Sequence, residues 1–375
     1  MENRSGFKSQ APRQLFRLGT GTLESTQEPV PNRNFRPWPI QIGFLLSLVC
    51  AIENLSWASE LKEELVSPMG VTRKLFWSDE FDGVLDSDGK RTFDRRKWNT
   101  THNAGWGAKL RTYGDDGGFH RWVDKDYNPG GLPADQVLDP FSFPEPSLLR
   151  ISLWKLDDGP VLSAYSAKNL SDEVRMTEKA RFATGFLATD DKFYYRYGYI
   201  EARIRLPPYR GSWPAFWLMP LDPSVKTPPV WGVTEADHEA AKALAAEARP
   251  QKVEFDIMEY LGHIPQRFTT AIHSDPEIGI EFHTPEGGVG DAWHIYGFDW
   301  TPTDWAFIFD GKIIRRGKTT PQFDKDHYVI LSMGAGGDWY KQEMMSLYGK
   351  KVEGWEVDES SMPWTMDIDY VRVWQ

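Results

Sequence analysis

The 375-residue sequence has one cysteine, Cys50. No intrachain disulfide can form, so a large buried core must supply the stability. The sequence also lacks a comfortable membrane span of about 20 apolar residues. Its longest apolar run, Ile40–Ile52, centres on Phe44-Leu45-Leu46-Ser47-Leu48-Val49. Positive charge is scarce as well. The net charge is −11, and residues 1–36, with six Lys/Arg against three Asp/Glu, leave the rest of the chain at −14. A body that acidic repels a phosphate backbone, which excludes nucleic acid as a partner. It disfavours a densely sulfated polysaccharide too, though more weakly. No internal repeat is present, and hydrophobic residues at 40% against 26% charged place the chain among globular proteins.

Basic residues precede the apolar run, and Ser56-Trp57-Ala58 follows it as a small-residue cleavage site. Residues 1–59 therefore read as a basic leader and signal peptide, with no stable membrane anchor, and predict a secreted or periplasmic protein. A lipid-anchored cysteine calls for a small residue before it. Val49 stands there instead, so Cys50 belongs to the apolar segment. Residues 60–375 are left as one folded domain, expected to be monomeric.

What is abundant is aromatic: 17 Trp, with 32 Gly and 26 Pro to turn the chain. Many aromatics with many turn formers favour short strands. From residue 75 onward the pattern has period two. In Gly198–Leu206 it sets Ile200, Ala202, Ile204 and Leu206 on one face, and Tyr199, Glu201, Arg203 and Arg205 on the other. Leu149–Leu153 repeats this. Trp305–Phe309, Asp310-Gly311 and Lys312–Arg315 read as a hairpin on a type I′ turn. Trp213–Met219, Val253–Glu259, Trp293–Trp300, Tyr328–Met333 and Ile368–Trp374 supply further strands. The fold class this predicts is all-β: an antiparallel jelly-roll sandwich. Two segments depart from it. The Ala-rich stretch about 234–248, with Thr234 and Asp237 as an N-terminal cap, reads as a short helical insertion. Residues 114–145, rich in Gly, Pro and Asp, read as a long loop region.

The most informative string is Val253-Glu254-Phe255-Asp256-Ile257-Met258-Glu259-Tyr260. Strict alternation puts Glu254 and Asp256 on one face and Met258 next. A one-residue bulge at Ile257-Met258 would return Glu259 to that face. Three carboxylates in a row raise one another's pKa, which is poor structure but suits glycoside hydrolysis. There one carboxylate must be ionised and the other protonated, about 5–5.5 Å apart in a retaining mechanism. Asp256 between them helps apportion the protons. A solvated acidic edge strand fits the same string. On the preceding strand Trp213 and Trp217 share a face, and indoles stack on the C–H faces of sugar rings. Either indole would equally serve as core.

These residues resemble the E-x-D-x-x-E signature of glycoside hydrolase family 16, in its bulged, laminarinase-like form. The resemblance extends over roughly residues 75–375. Trp77-Ser-Asp-Glu-Phe-Asp82 is similar to the family's opening strand, and Tyr197–Ile204 and Gly211–Trp217 to its central strands. Trp300-Thr-Pro, Phe309-Asp-Gly311 and Asp369–Val373 are similar to its late hairpin and closing strand. The resemblance implies a concave substrate cleft, with Glu254 as nucleophile, Glu259 as acid/base, Asp256 as the helper between them, and Trp213 stacking beside the scissile bond. No cofactor is required for that chemistry. The family's structural calcium on the convex side would fall to Glu80 and Asp369.

Trp106 is placed on the substrate side by the same resemblance. Ala108-Lys109-Leu110-Arg111 nevertheless replaces the Asn- and Glu-containing run that the family carries after Gly-Trp-Gly. Trp217 and His273 complete the expected substrate contacts, His273 being in reach of the acid/base or simply packed. The implied activity is a secreted retaining endo-β-glycosidase acting on a polysaccharide, foremost β-1,3-glucan. A β-galactan of agar or carrageenan type is the alternative substrate. A transglycosylase shares the chemistry, and a non-catalytic carbohydrate-binding sandwich shares the cleft.

Overall fold

In the computed structural model the residues described are 60–103, 109–111, 120–157, 159, 161, 180–220, 253–337, 339–340, 342–343 and 357–375. The leader and signal peptide, Trp106 and the helical insertion about 234–248 lie outside them. Among the described residues no helix is long and apolar enough to cross a membrane.

Two sheets carry the architecture. The larger orders its main strands as Lys312–Lys318, Asp304–Phe309, Trp293–Trp300, Gly198–Arg205, Trp364–Trp374, Leu148–Lys155, Phe182–Thr184 and His120–Trp122. The opening strand Thr72–Asp79 also pairs with Trp364–Trp374, which closes the chain onto its start. The smaller sheet runs Phe186–Ala188, His327–Ala335, Ser212–Pro220, Glu254–Glu259, Phe268–His273 and Gly279–His283. All its pairings are antiparallel.

The period-two reading of the sequence explains the core between the sheets. Ile200, Ala202, Ile204 and Leu206 are buried, as the alternation predicts. From the smaller sheet Phe255 meets Phe298 and Trp300 of the larger one, with ring centroids 4.8 and 5.3 Å apart. Aromatic pairs at such distances add to area burial by about 0.5–1.5 kcal/mol each. The Asp310-Gly311 turn forms as expected, with φ of 46° and 76°. Glycine takes the second of these positions without steric cost.

Residues 120–145, the described part of the stretch 114–145, are more ordered than a loop. They contain the strands His120–Trp122 and Phe141–Glu145 and two short 3₁₀ turns. His120, Arg121 and Trp122 are all buried, so no alternation announces that strand in the sequence. It pairs parallel to Phe182–Thr184 and reaches the open face of the smaller sheet, where Trp122 packs on Phe186.

Candidate active site

The bulge forms where the failed alternation puts it. Phe216 pairs with Met258 and Trp217 with Asp256, so Ile257 is the residue left out on that flank. On the other flank Asp256 opposes Ala271 and Glu259 opposes Thr269. Ile257 and Met258 are both buried in the core. Two consecutive apolar side chains enter one face, and Glu259 returns to the other with Glu254 and Asp256. All three carboxylates line a cavity of about 390 Å³ on the open face of the smaller sheet, together with Trp213, Trp217 and His273.

The carboxylates sit in unequal surroundings. Glu259 is half-buried, and its Oε1 accepts the indole N–H of Trp213 at 3.2 Å. Burial pushes its carboxyl well above the usual range, and the neighbouring Asp256 charge pushes it further. The Trp213 hydrogen bond and the charge on His273 oppose this without overcoming it. Of the influences acting on Glu259, those that favour its acid form prevail.

Asp256 is 3% exposed and has a cation beside it. His273 Nε2 lies 3.2 Å from Asp256 Oδ2, and Nδ1 lies 2.9 Å from Glu277 Oε1. Carboxylates on both ring nitrogens, Asp256 foremost, hold the imidazole protonated and raise its pKa to about 9. His273 therefore serves the middle carboxylate as a hydrogen-bonded side chain. Glu254 stands opposite His273 in the strand register and is half-buried. Donor atoms of Glu254, Asp256 and His273 lie within 4.8 Å of one another. A protonated imidazole cannot ligate a metal, so this cluster supplies its own positive charge.

The two tryptophans divide the roles expected of them. Trp217 is 3% exposed and forms the cleft floor, its N–H donated to Ser332 Oγ at 3.1 Å. Trp213 is only part-buried and meets Trp339 edge-on, with centroids 5.4 Å apart. Of the two indoles it is the more exposed to the cleft.

Other cleft residues carry no local signal in the sequence: His102, His120, Trp122, Ser332 and Trp339. His120 is buried, accepts the Ala335 N–H at Nδ1 (3.4 Å), and burial lowers its pKa to about 4. It is a neutral wall of the cleft. A Cβ on Gly334 would stand 2.9 Å from His120 Cε1, so glycine there makes room for the ring.

The expected calcium ligands do not fit a cation. Glu80 accepts from Arg372, at 3.0 Å from Nε and 2.7 Å from a terminal nitrogen, and Asp369 accepts from Arg203 at 2.7 Å. Each carboxylate is neutralised by a guanidinium where a hard cation would need uncommitted oxygens.

Comparison with known proteins agrees with this geometry. The model of the glycosyl hydrolases family 16 matches residues 160–349, just over half of the chain. The sequence is 24% identical over 330 residues to the glucan endo-1,3-beta-glucosidase A1 of Niallia circulans, covering 80% of this chain and 38% of that protein. It is 26% identical over 215 residues to the beta-glucanase of Rhodothermus marinus, covering 53% of this chain and 64% of that protein. The chain thus spans less than two thirds of either relative. Among solved structures, the endo-beta-1,3-glucanase from Pyrococcus furiosus superposes with a TM-score of 0.53 at 22% identity, over 84% of this chain and 98% of that one. That likeness establishes a shared fold.

Proposed function

Because the chain belongs to glycosyl hydrolases family 16, we propose that it is a retaining endo-β-glycosidase that cleaves β-1,3-linked glucan outside the cytoplasm, acting as a monomer. The observation that carries this reading is the bulge at Ile257-Met258, which turns Glu254, Asp256 and Glu259 into one cleft face. An ordinary acidic edge strand fits poorly, since Glu254–Glu259 is paired on both sides and its carboxylates face a walled cleft.

The chemistry follows from the unequal surroundings. Glu259, protonated, gives its proton to the glycosidic oxygen as that bond breaks. Glu254 attacks the anomeric carbon and forms a glycosyl ester. Glu259, now ionised, takes a proton from water, which attacks the same carbon and frees Glu254. Asp256 keeps negative charge close to Glu259, which favours the acid form before the first step. His273 balances that charge and holds Asp256 in place. Trp213 lies against Glu259 and offers its indole face to the sugar beside the scissile bond.

A glucan is favoured over a sulfated galactan by the net charge of −11 and by the cleft itself, whose described lining brings together the acidic side chains of Glu254, Asp256 and Glu259. Extracellular action fits a polymer that cannot cross a membrane. The test is reducing-sugar release from laminarin, mixed-linkage β-glucan, agarose and carrageenan. Release from laminarin with a ladder of oligosaccharides supports the reading. Release from a galactan alone would replace its substrate, and release from none would overturn it.

A further inference from the structure

Among the described residues the smaller sheet ends at the edge strand Gly279–His283, the last in its strand order. Edge strands are commonly blunted with charge or proline, because an exposed apolar edge invites aggregation. This one does the opposite on one face. Ile280 is 42% exposed and Phe282 46% exposed, while Glu281, between them, turns away to Arg315 at 3.2 Å.

The register shows which face that is. Ala215, Glu259, Thr269 and Phe282 form one row across four strands, and Trp217, Asp256, Ala271 and Ile280 form the next. Directly opposed residues of an antiparallel sheet share a face. Phe282 therefore stands on the cleft face, in the row of Glu259 and two strands away, at roughly 10 Å from strand spacings of about 4.8 Å. Ile280 already lines the cleft. The apolar ledge is continuous with the site and lies on a line running out of it.

Phe282 is also held in place. The Arg267 guanidinium lies 4.2 Å from its ring centroid, and Arg267 is fixed to Glu343 at 2.7 Å. A cation over one side of a ring orients it and leaves the other side for sugar C–H groups to stack on. An exposed aromatic made rigid in this way loses little entropy on binding.

We infer that Phe282, backed by Arg267 and flanked by Ile280, is an outer saccharide-binding platform of the cleft, stacking a sugar ring on the order of two residues from the scissile bond. The occupant is the neutral β-linked polysaccharide itself. The inference rests on the glycosidase reading and adds to it a preference for long chains. Binding energy gained far from the reacting bond is available to lower the barrier, so its loss falls on long substrates.

The experiment compares Phe282→Ala, Phe282→Trp and the unaltered protein on laminarin and on the shortest β-1,3-gluco-oligosaccharide that the unaltered protein cleaves. For Phe282→Ala, kcat/KM on laminarin should fall about tenfold and on the short substrate less than twofold. Phe282→Trp should keep the long-chain rate. Equal losses on both substrates, or no loss on either, overturn the platform while leaving the glycosidase reading intact. An unaltered protein that cleaves no polysaccharide overturns both. Analytical ultracentrifugation covers the other occupant: if Phe282→Ala dissolves a dimer without changing the chain-length preference, the ledge is a contact between copies and the platform is wrong.

Discussion

The indole N–H of Trp213 donates to Glu259 Oε1 at 3.2 Å, inside a site where burial raises the pKa of that carboxyl. The hydrogen bond favours the ionised carboxylate, and burial with Asp256 opposes it more strongly. Trp213 thus moderates an acid that would otherwise give up its proton too reluctantly. Trp213→Phe keeps a ring against the sugar and removes the N–H. The basic limb of the kcat/KM–pH profile should then move to higher pH, because the bond that is lost favours the ionised form. A limb that stays in place would show that Trp213 does not act on Glu259.

Glu254 is expected to be indispensable in a different sense. Glu254→Gln is nearly isosteric on a strand paired on both sides, so the fold and oligosaccharide binding should persist. Turnover should fall by about 10⁴-fold or more, because the covalent step is lost and not merely slowed. Calorimetric titration with an oligosaccharide beside the rate assay separates the two. Substantial activity in this variant would remove Glu254 from the mechanism.

Glu259→Ala removes the acid and, later, the base. Substrates with poor leaving groups should fail, whereas an activated aryl glycoside can still form the glycosyl ester on Glu254. Azide needs no deprotonation to attack that ester, so it should restore turnover and give a β-glycosyl azide. Absence of the azide product with every activated substrate would count against Glu259 as acid/base.

His273 supplies a pH signature. Its pKa is raised to about 9 in the folded protein, first by Asp256, from an ordinary value of 6.5. The stabilisation is therefore present in full below pH 6.5 and is lost as pH rises through 9. His273→Gln removes this component. Its melting temperature should lie below that of the unaltered protein at pH 6, and the gap should narrow by pH 9.5. The gap should be on the order of 1–3 °C, kept small because the ring is 39% exposed. Parallel melting curves across that range would break the ion-pair assignment.

The sequence disclosed the parts of this site that are local. Glu254-Phe-Asp-Ile-Met-Glu259 breaks alternation by one residue, and only a bulge reconciles three carboxylates with one buried face. Trp213 and Trp217 share a face by the same arithmetic. Topology supplied the rest. His120 and Trp122 belong to a strand whose three residues are all buried and which pairs parallel to a distant segment, so no period marks it. Trp339 meets Trp213 across more than a hundred residues of chain. The calcium expectation shows the same limit: Glu80 and Asp369 are visible as acids in the sequence, but their Arg372 and Arg203 partners are set by strand register. His273 was visible as a strand residue, and its choice of Asp256 over Glu259 came from the pairing of Glu254 with His273.

The bulge and the stereochemistry stand or fall together. With Ile257 left out of the pairing with Ser212–Pro220, Glu254 and Glu259 face one cleft and carry opposite protonation duties. Carboxylates that work at about 5–5.5 Å leave no room for a water between them, so Glu254 must attack directly. Two successive inversions return the β configuration. Proton NMR early in laminarin hydrolysis should show the β-anomer first, with the α-anomer growing in only at the rate of mutarotation. An α-anomer appearing first would mean single inversion through a water, a wider gap between the carboxylates, and a catalytic pair other than Glu254 and Glu259.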